Sequence, residues 1–206
     1  MREPTLAERI ADELAQRIII GDLKPGERLR QEVFAHEFNT SHVPIREAFL
    51  RLEIRKLAFS EPRRGMRVAP LGSGDTREIA RMRSALEVMG LRTLSGRLAP
   101  KQLAKVKEAL VAGDQATDLV AWEASNRAFH VALAELSLMP RLVDAVRDLN
   151  IAFSRNALRH GSPEGWKPGY SNDHQRIYEC LESGDYNMAA SLLETHIWHG
   201  ERVSAR

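Results

Sequence analysis

Apolar residues recur at helical spacing along almost the whole chain, and the breaks between them are short. Leu6, Ile10, Leu14 and Ile18 advance by four, which predicts a first helix over about 5–20, ended by Gly21. The LKPGERL stretch that follows reads as a turn centred on Pro25 and Gly26. Val33, Phe34 and Phe38 mark a second helix over about 31–38, and Asn39, Thr40 and Ser41 form a short polar break. A third helix is expected over about 42–56, with Ser41 as its N-cap and Ile45, Phe49 and Leu52 on its apolar face. Pro44 fits there because the first turn needs no backbone donor. The pattern then changes: short strand-like pieces at Ala58–Ser60 and Met66–Ala69 flank PRRG as a β-hairpin.

Beyond the PLGSG stretch the helical period returns. Six further helices are expected, over about 75–97, 101–112, 117–136, 140–158, 171–183 and 186–203. The domain limits read as 1–70, a linker at 71–74, and 75–206. The fold class is mainly α: an N-terminal winged helix-turn-helix followed by an all-α helical bundle.

Composition narrows the class of protein. A single cysteine, Cys180, excludes an intrachain disulfide and fits a reducing compartment. The charged N-terminus lacks a signal-peptide pattern, and no apolar run approaches the ~20 residues that span a bilayer, so a cytoplasmic protein without membrane contact is expected. Net charge is only +2, so any affinity for nucleic acid must come from local charge. Residues 42–68 supply it, with seven Lys/Arg against three acids, whereas residues 71–206 carry 17 of each sign.

Two helices joined by a tight polar turn, the second basic and followed by a basic hairpin, make a device for reading double-stranded DNA. Such a helix enters the major groove with its N-terminal residues at the base edges, while nearby arginines take phosphates. Thr40, Ser41, His42 and Arg46 stand at that end; Arg51 continues the helix, and Arg63, Arg64 and Gly65 occupy the hairpin tip. A solvated arginine face is the alternative, and the clustering of basic residues on helix and hairpin weighs against it.

The second half carries polar groups on apolar faces. Leu119, Trp122, Asn126, Phe129, Leu133 and Leu136 form one stripe, with His130 one turn from Asn126. His174 shares a face with Ile177 and Leu181, and His196 and His199 share one with Ala189, Leu192 and Val203. Three helices thus direct histidines inward. Neutral imidazoles converging in a bundle suit Zn²⁺, Ni²⁺ or a similar divalent cation. Separate, hydrogen-bonded core histidines are the competing reading. His160, Trp166 and Tyr170 fall in or beside a Gly/Pro-rich connection and read as an exposed and two packing residues. Met82 and Met89 read as core or dimer-face residues, and Cys180 as a small apolar one.

Residues 21–71, through LKPGERL, PIREAFLRLE and PRRGMRV, resemble the winged-helix domain of the GntR family of bacterial regulators. That family opens its recognition helix with Ser-Arg, where this chain has Ser41-His42; Arg46 matches the family's second arginine and Gly65 its wing-tip glycine. Lys56 stands where the family has glycine at the end of that helix. RSALE (83–87), NRAFH (126–130), DHQRIYECLESGD (173–185) and the terminal histidine helix resemble the FCD effector domain of the family's FadR branch. The resemblance implies a homodimer on a roughly palindromic operator, released or retained by a small-molecule effector, often a carboxylate. It also implies a metal held by His130, His174 and His196 with an aspartate at the position of Asn126; the amide can ligate but brings no charge. Arg83 would pair with the effector's carboxylate, or else with Glu87 one turn on, and His199 would line the same cavity.

Two other functions remain to be weighed at this point. A metal-dependent hydrolase lacks its companions, since there is no His-Glu-x-x-His, no Gly-x-Ser-x-Gly and no phosphate-binding glycine loop. A DNA-binding dimeric scaffold without an effector differs from a regulator in gaining no stability from any ligand.

Overall fold

The computed structural model describes residues 3–70, 75–159 and 172–204, so the 71–74 linker and His160, Trp166 and Tyr170 lie outside the described residues. The chain divides into two compact units, 1–72 and 73–206. The first is a three-helix domain with a small sheet. Helix α1 (Leu6–Ile20) starts on a reciprocal cap: the Thr5 hydroxyl accepts from the Glu8 backbone at 3.2 Å, and the Glu8 carboxylate accepts from the Thr5 backbone at 2.8 Å. Gly21, at φ 87°, ends it in the left-handed conformation that a Cβ would disfavour. Ile10, Leu14 and Ile18 of α1 pack on Ile45, Phe49 and Leu52 of α3 (His42–Ile54), all buried. The short α2 (Gln31–Glu37) sets Phe34 edge-on against Phe49, with ring centroids 5.8 Å apart.

Strands β2 (Ala58–Glu61) and β3 (Gly65–Val68) form the hairpin, and β1 (Arg28–Leu29) pairs with the other edge of β3, giving the order β1-β3-β2. The turn expected over LKPGERL therefore contributes a strand. Two residues are too short to show a period of two; β1 exists because β3 arrives beside it, with the Gly26 and Val68 amides donating to the Val68 and Glu27 carbonyls. Ser41 occupies the N-cap of α3, yet its side chain makes no capping hydrogen bond. At the other end the helix stops at Ile54, and Lys56 itself adopts φ 57°.

The second unit is a bundle of α4 (Asp75–Arg92), α5 (Pro100–Asp114), α6 (Leu119–Glu135), α7 (Pro140–Leu158), α8 (Asp173–Ser183) and α9 (Tyr186–Ser204). Helix α6 lies among α4, α5 and α7; α4 also packs on α7 and α9, and α8 on α5 and α9. Phe129, Leu133, Leu91, Val106, Ile177, Leu181, Leu193 and Ile197 form the core. Helix α4 is five residues shorter than the pattern predicts. The Thr93 hydroxyl takes the Gly90 carbonyl at 2.7 Å, Gly96 turns at φ 70°, and the Tyr186 hydroxyl fixes the Gly96 carbonyl at 2.6 Å. Met82 and Met89 are exposed, so of the two readings offered for them the core is excluded, whereas Cys180 packs partly buried against the core. Among the described residues no helix is long and apolar enough to cross a membrane.

Candidate functional sites

The first turn of α3 leaves Ser41, His42, Val43 and Arg46 exposed, with Thr40 half-buried behind them. The helix's apolar face holds it on α1, so the opposite face, with His42 and Arg46 on it, is left to solvent. Arg51, farther along, turns to Glu8 on α1 at 3.0 Å. In the wing, Glu61 gathers two cations: Arg67 at 2.6 Å and Arg64 at 2.9 Å. The hydrogen bond from Arg67, with Arg64 close by, holds the Glu61 carboxyl below its ordinary range. Arg63 is exposed at φ 63°, and Gly65 turns at φ 85° against the Arg28 guanidinium. Of the residues expected to read DNA, His42, Arg46 and Arg63 carry no ion pair among the described residues, so their side chains are not committed within the reading head.

The second site lies inside the bundle. His130 of α6, His174 of α8 and His196 of α9 bring one nitrogen each within 4.8 Å of one another. The Nε2 atoms of His174 and His196 are 3.0 Å apart. His130 Nδ1 lies 2.5 Å from Glu87 Oε2, and His196 Nδ1 lies 3.3 Å from Asp173 Oδ2. A carboxylate at Nδ1 draws the hydrogen there and leaves the lone pair on Nε2. His130 Nε2 is buried with no partner. Burial pushes the His130 imidazole down to about 4, against the pull of Glu87. Burial also takes His174 well below its ordinary value, with His196, His130 and Arg83 adding to the effect. Both rings are therefore neutral near pH 7, which is the form that ligates.

Glu87 is the hub of the surrounding network. Burial opposes its charge, but His130 and Arg83 outweigh that penalty and bring its carboxyl down to about 2. Arg83 Nε donates to Glu87 Oε1 at 2.9 Å, so the i,i+4 pair forms, fully buried. It does not use up the guanidinium: Nη2 is buried without a partner, and the group lies 4.7 Å from the centre of the Phe153 ring. Asn150 Nδ2 also donates to Glu87 Oε1, at 3.1 Å, leaving its own Oδ1 without a partner. Asn126 Nδ2 donates to Glu123 at 3.2 and 3.3 Å, and again Oδ1 is buried and unpartnered.

Buried polar atoms without partners are rare in folded proteins and call for an explanation. Two of these, His130 Nε2 and Asn126 Oδ1, are acceptors one helical turn apart, beside two more imidazole nitrogens. That donor set fits a divalent cation. Arg83 Nη2 is a donor with a positive charge and fits an anion. His199 is exposed and stands outside the cluster, which departs from its expected place in the cavity. The buried face of α9 runs through Ala189, Ala190, Leu193 and Ile197, one residue off the stripe through Leu192 and His199. Sequence reasoning missed Glu123, Asn150, Ser154 and Asp173. Asn150 and Ser154 share the buried face of α7 with Val146 and Phe153, the same polar-on-apolar signal that marked Asn126.

Comparison with known proteins assigns the class. Residues 6–68 match the bacterial regulatory proteins of the gntR family, and residues 78–199 match the FCD domain. The chain belongs to the GntR family of regulators with an FCD effector domain: it is a DNA-binding transcription regulator and not an enzyme. It is 29% identical over 184 residues to the HTH-type transcriptional regulator McbR of Escherichia coli K12, covering 88% of this chain and 82% of that one. The solved structure of E. coli McbR/YncC superposes with a TM-score of 0.81 at 23% identity, over 98% of each chain. A GntR transcriptional regulator from Rhodococcus sp. RHA1 superposes with a TM-score of 0.80 at 25% identity, over 96% of each chain.

Proposed function

We propose that this regulator works as a cytoplasmic homodimer, with residues 1–70 reading a roughly palindromic operator and residues 75–206 holding the effector and the dimer contact. His42 and Arg46 approach the base edges; Thr40, Ser41, Arg51, Arg63 and Arg64 approach the backbone, with Gly65 letting the wing come close. In the bundle, His130, His174 and His196, with the Asn126 oxygen, hold a divalent cation such as Zn²⁺ or Ni²⁺. A small carboxylate binds beside it with one oxygen on Arg83 Nη2. The observation that carries this reading is the pair of buried, unpartnered acceptors His130 Nε2 and Asn126 Oδ1 next to two further imidazoles. A cation supplies their partner, and an anion follows because imidazole and amide ligands bring no negative charge to offset the cation's. The carboxylate changes operator affinity only by binding one arrangement of the two reading heads better than the other.

Metal analysis of untagged protein purified without chelator tests this. One equivalent of Zn²⁺ or Ni²⁺ is expected, taken up again after dialysis against EDTA, and His174→Ala abolishes the uptake. A thermal-shift screen of small carboxylates should find stabilisation that depends on the metal. No uptake by the wild type would leave the histidines as core residues, and no stabilisation by any carboxylate would leave a dimeric scaffold.

A further inference from the structure

We infer that Glu123 is a positioning residue for the histidine centre: it pins the Asn126 amide nitrogen so that the amide oxygen is the end offered to a cation, and it is why an amide is tolerated better than a carboxylate at 126. The inference rests on reading the histidines as a cation site, and it concerns a residue whose hydrogen bonds among the described residues run to Asn126 and Ser154 rather than to a histidine.

An amide has two ends of similar size, and only the oxygen can ligate. Asn126 is buried, so water does not choose between them. Glu123 does. Its two oxygens lie 3.2 and 3.3 Å from Asn126 Nδ2, an arrangement that the ionised carboxylate, an acceptor only, makes with the nitrogen and not with the oxygen. Flipping the amide would press its oxygen against a carboxylate. With Nδ2 held, Oδ1 is left on the other side, one helical turn from His130 and without a partner. The carboxylate is fixed in turn: the Ser154 hydroxyl lies 2.7 Å from Glu123 Oε1.

Apart from Asn126, Glu123 accepts only the Ser154 hydroxyl among the described residues, with Arg83 and Arg127 acting on it from farther off. It is 1% exposed and forms no ion pair among the described residues. A buried carboxylate without an ion pair is costly, and an apolar residue would pack there at less cost. Orienting a ligand is the kind of task that retains such a group, since partners behind metal ligands change affinity by about 10–100-fold. The same geometry governs residue 126. An aspartate there would set two buried carboxylates against each other across the space now bridged by hydrogen bonds, and their like charges would disfavour the arrangement.

The test is a double-mutant cycle on the full-length protein, with Zn²⁺ affinity read by competition against a chromophoric chelator. Trp122 stacks on His174 with ring centroids 6.3 Å apart, so its fluorescence gives a second readout of occupancy. With Asn126 in place, Glu123→Gln should weaken Zn²⁺ binding about tenfold, because the neutral amide no longer dictates which end of Asn126 turns inward. In the Asn126→Asp background the same substitution should strengthen binding, because it removes the opposing charge. Ser154→Ala should weaken binding in the Asn126 background in the same direction as Glu123→Gln and more mildly, without changing the charge of the site. A residue that merely fills space would shift affinity in one direction in both backgrounds. No change, or an effect of one sign in both, overturns the inference while leaving the cation site intact. A wild type that binds no Zn²⁺ overturns both.

Discussion

The two halves of this chain use polar residues in opposite ways. In the reading head the charged groups are at the surface, and their partnerships are exposed pairs: Arg17 with Glu37, Arg51 with Glu8, Arg55 with Asp12, and Glu61 with two wing arginines. Exposed pairs of this kind contribute about 0–1 kcal/mol each. In the bundle, Arg83, Glu87, Glu123, Asn126, His130 and Asn150 are all buried, and several retain atoms with no partner. The first arrangement keeps charge available for a large external polyanion at little cost to folding. The second is suited to a small ligand, because buried groups interact strongly with whatever enters and resist whatever does not match them. A regulator needs both, and here each is confined to its own unit.

The largest expected effect comes from breaking the buried network at its hub. Glu87→Ala strands the Arg83 guanidinium and removes the partner of His130, and should cost the bundle ~3–5 kcal/mol. Chemical denaturation followed by separate probes in the two units should show the reading head's transition unmoved; a loss under ~1 kcal/mol would mean the network is worth no more than a surface pair.

Acid probes the same contrast without mutation. Glu87 has a folded value near 2, below its unfolded one, so its contribution is complete above the unfolded value and lost as pH falls toward about 2. His130, lowered to about 4, and His174, lowered further from its ordinary value, bind fewer protons folded than unfolded. Their contribution is complete above about 6.5 and declines as pH falls below it. Glu123, raised by burial, runs the other way: it favours the fold below its unfolded value and loses that contribution as pH rises through its folded one. The metal-free bundle should therefore lose stability from about pH 6.5 downward, ahead of the reading head. Urea midpoints between pH 7 and pH 4 in EDTA check this, and parallel curves for the two units would contradict it.

Arg46→Ala should weaken operator binding by about 1–3 kcal/mol with no change in folding stability, because the side chain is exposed and carries no ion pair among the described residues. Arg51→Ala should cost less in binding, since that arginine already serves Glu8. Gel-shift titrations at one fixed salt concentration rank the two; the reverse order would move the DNA-reading face along α3. The smallest effect is expected at Lys56, which holds φ 57° where glycine is at ease. Lys56→Gly should stabilise the reading head by up to ~1 kcal/mol, seen as a small rise in its unfolding midpoint.

The elements were legible where the signal is local. The stripe of α1, its Gly21 stop, the hairpin around PRRG and the inward histidines each depend on residues within a turn or two of one another. The same spacing rules failed where they were degenerate. On α9 two stripes one residue apart both look apolar, and the chain buries Leu193 and Ile197 rather than placing His199 inside. The strand β1 could not be read, because its two residues become a strand only through β3.

The candidate site divides along the same line. The amino-acid sequence by itself determined that three helices would turn histidines to their apolar faces, that Asn126 and His130 would lie one turn apart, and that Arg83 could reach Glu87. It did so because helical geometry repeats every 3.6 residues whatever surrounds the helix. Only the tertiary structure decided that the three histidines meet, that Glu87 sets the tautomer of His130 from 43 positions away, and that Ser154, 31 positions along the chain, holds the carboxylate to which Asn126 donates. Those outcomes depend on hydrogen bonds between segments distant in the chain and on the exclusion of water from the space between them, and neither is encoded in any one stretch of residues.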